Sequence, residues 1–190
     1  MEKLTVDELL NKDINNKIIV FPTDTVYGVG CKIDDRESIN KIYQMKARDY
    51  FKPFAILTPN KDLSDYVILN NKSKDIMDKY WPGALTIIFK KKKTINDFLT
   101  ANLDTVGFRM PNSKIALTIL ERFGLLATTS INISGEAPLN NIEDIEREFG
   151  EYIDYLVVDK AETSNVSSTV IDCSNECFKI LRQGDIKISI

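Results

Sequence analysis

Apolar positions along this chain follow two different periods, which alternate from one end to the other. Short runs of β-branched and aromatic residues predict strands, and segments whose apolar positions recur every three to four residues predict amphipathic helices. Ser73 is the expected N-cap of one helix, and Gly124 and Gly150 are expected to end two others. The predicted strands are 17–21, 54–57, 85–89, 105–109, 125–129, 155–158, 168–171 and 178–181, and the predicted helices are 37–47, 73–80, 113–123 and 142–149.

This alternation predicts a mixed α/β fold with one twisted, mostly open sheet and flanking helices. The chain has 190 residues, of which 43% are hydrophobic, and it contains no internal repeat or linker-like stretch. That length suits one core better than two, so we expect a single domain over residues 1–190.

The distribution of apolar and cysteine residues indicates the cellular compartment of the protein. No apolar run approaches the about 20 residues of a membrane-spanning helix, so we expect no contact with a membrane. The first residues lack the apolar core of a signal peptide, and the three cysteines are an odd number. We therefore expect a cytoplasmic protein without a disulfide framework.

The chain contains no histidine, and this excludes several kinds of catalysis. A Ser-His-Asp triad, a Cys-His dyad and a zinc site with imidazole ligands are all impossible. Cys173 and Cys177 lack a second pair of ligands, so we interpret them as buried small apolar residues and expect no metal site in the protein. With 25 basic and 28 acidic residues, any anion site must be a local cluster.

Two segments contain such local cations. Lys46, Arg48 and Lys52 lie within seven positions near a predicted helix end, where they suit carboxylate or phosphate oxygens or else complement the helix C-terminus. Arg109 ends a predicted strand just before a proline, where it can clamp a carboxylate or form an exposed salt bridge. The lysines of 90–93 predict a solvated loop, with RNA contact as the less favoured alternative.

Two polar segments follow predicted strands. The segment 22–30 places two threonines and Asp24 at a strand end, followed by Gly28 and Gly30, which would let the backbone approach a ligand closely. The segment 128–135 combines hydroxyls, an amide and a glycine, which suit phosphate or ribose oxygens. It matches neither a Walker A loop nor a Gly-x-Gly-x-x-Gly fingerprint.

In this order the segments resemble the YrdC/YciO family, the threonylcarbamoyl-AMP synthases, from residue 18 to residue 186. The resemblance implies an open α/β sheet curved around a concave cationic cavity, in a short member without the C-terminal extension domain. Its motifs are Pro-Thr-Asp-Thr-Val-Tyr-Gly (22–28), Lys-x-Arg (46–48), Trp-Pro-Gly-x-Leu-Thr (81–86), Phe-Arg-Met-Pro (108–111), Ser-x-Asn-x-Ser-Gly (130–135), Ser-Thr-Val-x-Asp (168–172) and Leu-Arg-x-Gly (181–184).

The implied activity is a nucleotidyl transfer that joins L-threonine, bicarbonate or CO2, and ATP into threonylcarbamoyl-adenylate and releases pyrophosphate. Magnesium would accompany ATP, and a separate transfer complex would place the threonylcarbamoyl group on tRNA. One alternative is a module that binds double-stranded RNA or tRNA directly. Another is a YciO-like paralogue without efficient synthase activity, or a domain related to the one used in hydrogenase maturation.

The resemblance also implies roles for individual residues. Lys46 and Arg48 would be catalytic, because they would offset charge on the phosphates. Lys52 stands where the family often has Asn or His, and Ile131 stands where Ala is common and could narrow the pocket. The implied ATP contacts are Lys46, Arg48, Thr105, Ser130, Asn132 and Arg182, and the implied threonine contacts are Thr23, Lys52, Arg109, Thr128 and Ser168.

Overall fold

A computed structural model describes residues 1–188 and confirms the alternation of strands and helices. The helices are α1 Val6–Leu9, α2 Arg36–Met45, α3 Asn71–Tyr80, α4 Lys114–Phe123 and α5 Ile142–Phe149, with a short 3₁₀ helix at Asp97–Leu99. The strands are β1 Glu2–Leu4, β2 Ile19–Pro22, β3 Tyr27–Lys32, β4 Ala55–Leu57, β5 Val67–Ile68, β6 Leu85–Lys91, β7 Thr105–Arg109, β8 Leu126–Ser130, β9 Tyr155–Val157, β10 Thr169–Asp172 and β11 Lys179–Arg182.

The strands form one mixed sheet in the order β1-β9-β2-β3-β8-β4-β7-β6-β10-β11, with β5 paired to β6. Parallel pairs join β9 to β1 and β2, β4 to β7, and β6 to β10, and the other neighbours run antiparallel. The mixed α/β prediction is therefore confirmed. The order also makes neighbours of strands that are far apart in the chain, such as β3 and β8.

The helix ends follow the predicted caps, with one correction. Ser113 caps α4 by accepting from the Ala116 amide, and Gly124 at its end has φ +81°. In α3, by contrast, the N-cap is Asn70, whose Oδ1 accepts from the Ser73 amide at 2.8 Å. Ser73 is the third helical residue and accepts from the Asn70 amide, so the prediction that Ser73 caps this helix is wrong. Asn caps as well as Ser does, and the reciprocal bonds favour the earlier start.

Strand β3 was predicted as a glycine-containing loop, and the structure explains the glycines differently. A Cβ at Gly30 would lie 2.6 Å from the Ala127 carbonyl oxygen of β8, and one at Gly28 would lie 2.8 Å from Thr128 Cγ2. Both glycines therefore allow β3 and β8 to approach, and only Gly28 also borders a cavity. The short elements β1, α1 and β5 were not predicted either.

Alternate residues of the sheet face two different surroundings. One face, which includes Ile56, Ile87 and Phe108, packs in the larger apolar core with residues of α2, α3 and α5. The other face carries Phe21 and Leu57, which form a smaller core with α1 and α4. Over β4, β7, β6 and β10 this second face carries a mixture of small, polar and apolar residues and borders an open cavity.

The cysteines and the membrane prediction can be compared with the structure. Cys173 is buried as expected, and Cys31 is buried too, but Cys177 is exposed, so the prediction that Cys177 is a buried small apolar residue is wrong. Cys177 lies in the turn between β10 and β11, where residues 175–177 are exposed. Within residues 1–188, no helix combines the length and the apolar content needed to cross a membrane.

Candidate functional site

The cavity has a volume of about 290 Å³ and lies on the strand face that α4 leaves uncovered. Its floor follows the two-residue period of the strands, because alternate residues of each strand point to the same face. Strand and loop residues therefore converge on it from seven separate parts of the chain. The lining comprises Thr23, Thr25, Val26, Gly28, Arg48, Pro53, Phe54, Ala55, Leu57, Thr86, Ile88, Gly107, Arg109, Thr128, Thr129, Ser130, Ser167, Ser168, Val170 and Arg182.

Arg109 is held rigidly at one end of this floor. Its Nε donates to the Gly83 carbonyl at 3.0 Å and its Nη1 donates to Thr25 Oγ1 at 2.8 Å. Its Nη2 forms an ion pair with Asp24, and the arginine is only 6% exposed. Burial lowers the pKa of Arg109, and the Asp24 carboxylate opposes that shift. The guanidinium stays charged, and two of its five N–H groups have no acceptor within residues 1–188 and can bind a ligand.

Three threonines, Thr23, Thr25 and Thr128, lie near Arg109 in the lining of the cavity. Thr23 Oγ1 donates to the Val26 carbonyl at 2.7 Å and lies 3.0 Å from Thr25 Oγ1. Thr128 Oγ1 lies on β8 and donates to the Leu126 carbonyl. These hydroxyls sit beside the apolar side chains of Val26 and Leu57, so this end offers polar groups and a small apolar surface together.

A second arginine, Arg182 of β11, also lines the cavity, and its charge is a further cause, after burial, that lowers the pKa of Arg109. Arg182 Nε donates to the Ser168 carbonyl at 3.0 Å, and its Nη2 lies 3.2 Å from Ser168 Oγ. Ser168 Oγ is in turn 2.9 Å from Thr86 Oγ1 on β6. Burial lowers the pKa of Arg182, although the residue as a whole is exposed.

A third arginine approaches from the segment between α2 and β4. Arg48 donates to the carbonyls of Lys52 (3.2 Å) and Pro53 (2.9 Å), and its guanidinium carbon lies 5.8 Å from the centre of the Phe54 ring. Burial is the main cause that lowers the pKa of Arg48. Lys52 is exposed at the rim, with Nζ 3.4 Å from Ser134 Oγ.

Lys46 lies behind the cavity wall rather than in the cavity. Its side chain is 1% exposed, and Nζ donates to the Ser130 carbonyl, to the Asn132 carbonyl at 2.7 Å and to Asn132 Oδ1 at 3.2 Å. Burial, with a smaller contribution from the Arg48 charge, lowers the pKa of Lys46 to about 7. The Asn132 amide nitrogen donates to the Ile133 and Glu136 carbonyls, so this side chain is also committed within the protein.

Seven of the eleven predicted site residues line the cavity, namely Thr23, Arg48, Arg109, Thr128, Ser130, Ser168 and Arg182. The remaining four, Lys46, Lys52, Thr105 and Asn132, lie outside its lining. Thr105 begins β7, two and four residues before the lining residues Gly107 and Arg109, and thus shares their sheet face. Ile131 is fully buried in the larger core and does not line the cavity, so the expectation that it narrows the pocket is wrong.

Three polar residues in or next to the cavity have no individual role in the sequence analysis. Thr25 orients Arg109, Asp24 neutralises it, and Thr86 contacts Ser168. The two-residue period was the available signal for Thr86, because it predicts that Thr86 and Ile88 share a face. Asp24 and Thr25 depend on contacts across about 85 residues of sequence, which a local pattern does not contain.

The side chains that line the cavity carry an excess of positive charge. Among the described residues it includes three arginines and no Asp or Glu. The part of the chain covered by the structure also contains no group of three or more Cys, Asp and Glu side chains that could hold a metal ion. The lysine run 90–93 lies at the end of β6, where Lys91 pairs with Asp97 and Lys92 donates to the Ser64 carbonyl at 2.5 Å.

Comparison with known proteins adds three relationships. A curated protein of Methanocaldococcus jannaschii, provisionally named a threonylcarbamoyl-AMP synthase, is 35% identical over 98% of this chain and 89% of its own length. The threonylcarbamoyl-AMP synthase of Bacillus subtilis is 33% identical over 90% of this chain but only 51% of its own length. The crystal structure of Pyrococcus abyssi Sua5 in complex with L-threonine superposes with a TM-score of 0.86 at 29% identity, over 94% of this chain and 54% of that one.

A family model confirms the assignment made from the motifs. The model for Sua5, YciO and YrdC proteins, described as "Telomere recombination", matches residues 14–184. This range contains the whole cavity lining described above. The chain therefore belongs to the Sua5/YciO/YrdC family.

Proposed function

We propose that this protein joins L-threonine, bicarbonate or CO2, and ATP into threonylcarbamoyl-AMP and releases pyrophosphate. The observation that carries the proposal is the cavity itself, in which a buried, oriented Arg109 faces threonine hydroxyls while Arg48 and Arg182 enter from other walls. The names of the relatives from M. jannaschii and B. subtilis support the same reaction.

The end of the cavity around Arg109 suits the amino acid. The two free N–H groups of its guanidinium can bind a carboxylate, and neutralisation by Asp24 limits how strongly the empty site attracts other anions. Thr23 and Thr128 lie within the same lining, next to the apolar surface of Val26 and Leu57. This combination fits a substrate with a carboxylate, a hydroxyl and a methyl group. The L-threonine in the Sua5 crystal structure supports the assignment.

The rest of the lining suits ATP. Arg48 and Arg182 can bind phosphate oxygens, and the hydroxyl oxygens of Ser130 and Ser168 can accept from ribose hydroxyls. Thr105, on the same sheet face, and Lys52, at the rim, would contact the two ends of an extended nucleotide or the amino acid beside it. The lining contains no carboxylate that would repel a triphosphate.

The chemistry needs no nucleophile from the protein. The threonine amine forms a bond with the carbon of CO2 and releases a proton, which gives a carbamate. A carbamate oxygen then bonds to the α-phosphorus, and the bond from that phosphorus to the β-phosphate oxygen breaks to release pyrophosphate. Arg48 and Arg182 would stabilise the charge that develops on the phosphates, so catalysis is mainly positioning and electrostatics.

Magnesium would enter with ATP rather than occupy a site made by the protein. Phosphate oxygens are ligands that magnesium prefers, and among the described residues the side-chain oxygens of the lining are all neutral hydroxyls. When bound, the ion would offset phosphate charge. We also propose that a separate transfer complex uses the product to modify tRNA. Direct RNA contact through the lysine run is a weaker proposal, because Lys91 and Lys92 are bound within the protein.

Pyrophosphate release from ATP, with magnesium and bicarbonate, tests the reaction. We expect release that requires L-threonine and that fails with serine or glycine, since serine lacks the methyl group and glycine lacks the whole side chain. Absence of release under all conditions would contradict the proposal and favour a YciO-like paralogue or an RNA-binding module. Salt-sensitive RNA binding that ATP does not displace would support the RNA-binding alternative.

A further inference from the structure

Lys46 and the segment 130–134 form an unusually complete set of hydrogen bonds. An ammonium group has three N–H donors, and Lys46 Nζ has three acceptors within reach, the carbonyls of Ser130 and Asn132 and the Oδ1 of Asn132. The Lys46 main-chain carbonyl in turn accepts from the Ser134 amide at 2.8 Å. One residue thus binds the segment 130–134 at four points, and no donor of its ammonium is left for a ligand.

The shape of the acceptor site specifies lysine. Three oxygens converge on one tetrahedral nitrogen, which an ammonium satisfies and a planar guanidinium does not. The backbone beside it is also committed, because Lys46 is the C-cap of α2 and Ala47 follows with φ +46°. Within residues 1–188 no carboxylate pairs with Lys46, and its ammonium donates to these oxygens alone.

We propose that Lys46 is a positioning residue that holds the segment 130–134 in place for the nucleotide and does not itself bind phosphate. Ser130 is the part of that segment that lines the cavity, and its hydroxyl donates to Asn132 Oδ1 at 2.6 Å. Lys46 therefore fixes Ser130 both through its carbonyl and through Asn132. The effect of Lys46 on ATP binding rests on the proposed function, whereas its effect on the order of the segment 130–134 does not.

The first test measures the ligand-free protein. Amide hydrogen exchange at pH 6 would compare the wild type with Lys46→Met, which removes the donors, and Lys46→Arg, which keeps the charge but not the geometry. We expect exchange in 130–136 to rise about tenfold or more in both variants, since each loses bonds that order the segment. Lys41→Met, on the exposed side of the same helix, should leave that exchange unchanged. Unchanged exchange in the Lys46 variants would overturn the proposal.

Amine labelling of the wild type covers the case in which the variants fail to fold. Acetylation followed by mass spectrometry should find Lys46 resistant both without and with ATP, and Lys41 reactive in both states. A Lys46 that reacts readily in the ligand-free protein and becomes protected by ATP would overturn the proposal, because that pattern marks a direct phosphate ligand.

Steady-state kinetics separate positioning from a purely structural role. In both Lys46 variants we expect the KM for ATP to rise about tenfold while the KM for L-threonine changes by less than about twofold. Retention of the wild-type KM for ATP by Lys46→Arg alone would overturn the proposal, because it would show that charge matters and geometry does not. If the wild type releases no pyrophosphate, the proposed function fails, and the exchange experiment still decides the role of Lys46.

Discussion

Arg109 and Asp24 form an ion pair at the floor of the cavity, although 85 positions separate them in the chain. Both side chains are largely withdrawn from solvent, with 8% and 14% of their surfaces exposed. The pair therefore links the end of β7 to the polar turn that follows β2. It also fixes the direction in which the remaining N–H groups of Arg109 point.

Loss of the Asp24 charge should destabilise the fold. Asp24→Asn keeps an acceptor but leaves the buried Arg109 guanidinium without a counter-charge, which we expect to lower the free energy of unfolding by about 2–4 kcal/mol. Urea denaturation at pH 7 measures this directly. Glu37→Gln removes one carboxylate from an exposed pair with Lys41 and should have little effect. Equal stability of the Asp24→Asn variant and the wild type would show that the pair is dispensable.

Loss of the Thr25 hydroxyl should weaken the binding of L-threonine and leave the binding of ATP unchanged. Thr25→Val removes the oxygen that accepts from Arg109 Nη1 at 2.8 Å, while the shape of the side chain is retained. We expect the KM for L-threonine to rise about tenfold and the KM for ATP to stay within about twofold. Thr25→Ser is the matched control, because it keeps the oxygen. A larger change in the KM for ATP would refute our placement of the two substrates.

Loss of the Arg48 guanidinium should lower the turnover rate. Arg48→Ala removes a guanidinium that lines the cavity, and we expect pyrophosphate release to fall about 100-fold without a change in secondary structure. Arg36→Ala is a suitable control, since Arg36 lies over the Phe98 ring and outside the cavity lining. Circular dichroism verifies the fold of both variants. Near-normal release from Arg48→Ala would remove Arg48 from the catalytic residues.

Two glycines should respond differently to the same substitution. In Gly30→Ala the new methyl group would lie 2.6 Å from the Ala127 carbonyl oxygen, so β3 and β8 must separate, and we expect a loss of about 1–3 kcal/mol. In Gly107→Ala the nearest atom is Thr86 Cγ2 at 3.3 Å, which can yield by a small side-chain movement. Thermal unfolding should therefore show a lower Tm for Gly30→Ala than for Gly107→Ala. The reverse order would contradict the register of β3 and β8.

The pH dependence of the free energy of unfolding should reveal the lowered pKa of Lys46. Its pKa is lowered from 10.5 to about 7 on folding, so the folded state binds fewer protons than the unfolded state between these values. Below about pH 7 the buried ammonium is charged, and its burial lowers the free energy of unfolding by the full amount. This loss disappears as the pH rises toward 10.5. Relative to Lys46→Met, the wild type should therefore gain stability from pH 7 to pH 9 in urea denaturation. A constant difference would mean that folding does not shift this pKa.

Much of the local structure followed from sequence patterns. Helix α4 lies where its apolar positions and the caps Ser113 and Gly124 predict it, and strands β6 and β7 nearly coincide with their predicted ranges. These elements depend on interactions between residues a few positions apart, so their signals are local. Strand β3 escaped detection because its two glycines signal a loop, whereas the close approach of β8 requires them.

The candidate site divides in the same way. Its motifs could be found in the sequence, and the family to which they point is confirmed. The sequence alone did not reveal that Asp24 and Thr25 engage Arg109, or that Lys46 turns inward while Arg48, two residues later, lines the cavity.

The sequence by itself determined most of the strands and helices, which of their side chains share a face, and the family to which the motifs point. The tertiary structure alone decided which of those faces meet. The physical reason is that strand order brings β4, β7, β6 and β10 together across long stretches of sequence. Contacts made across such distances depend on packing of the whole core, which the two-residue and 3.6-residue periods do not encode.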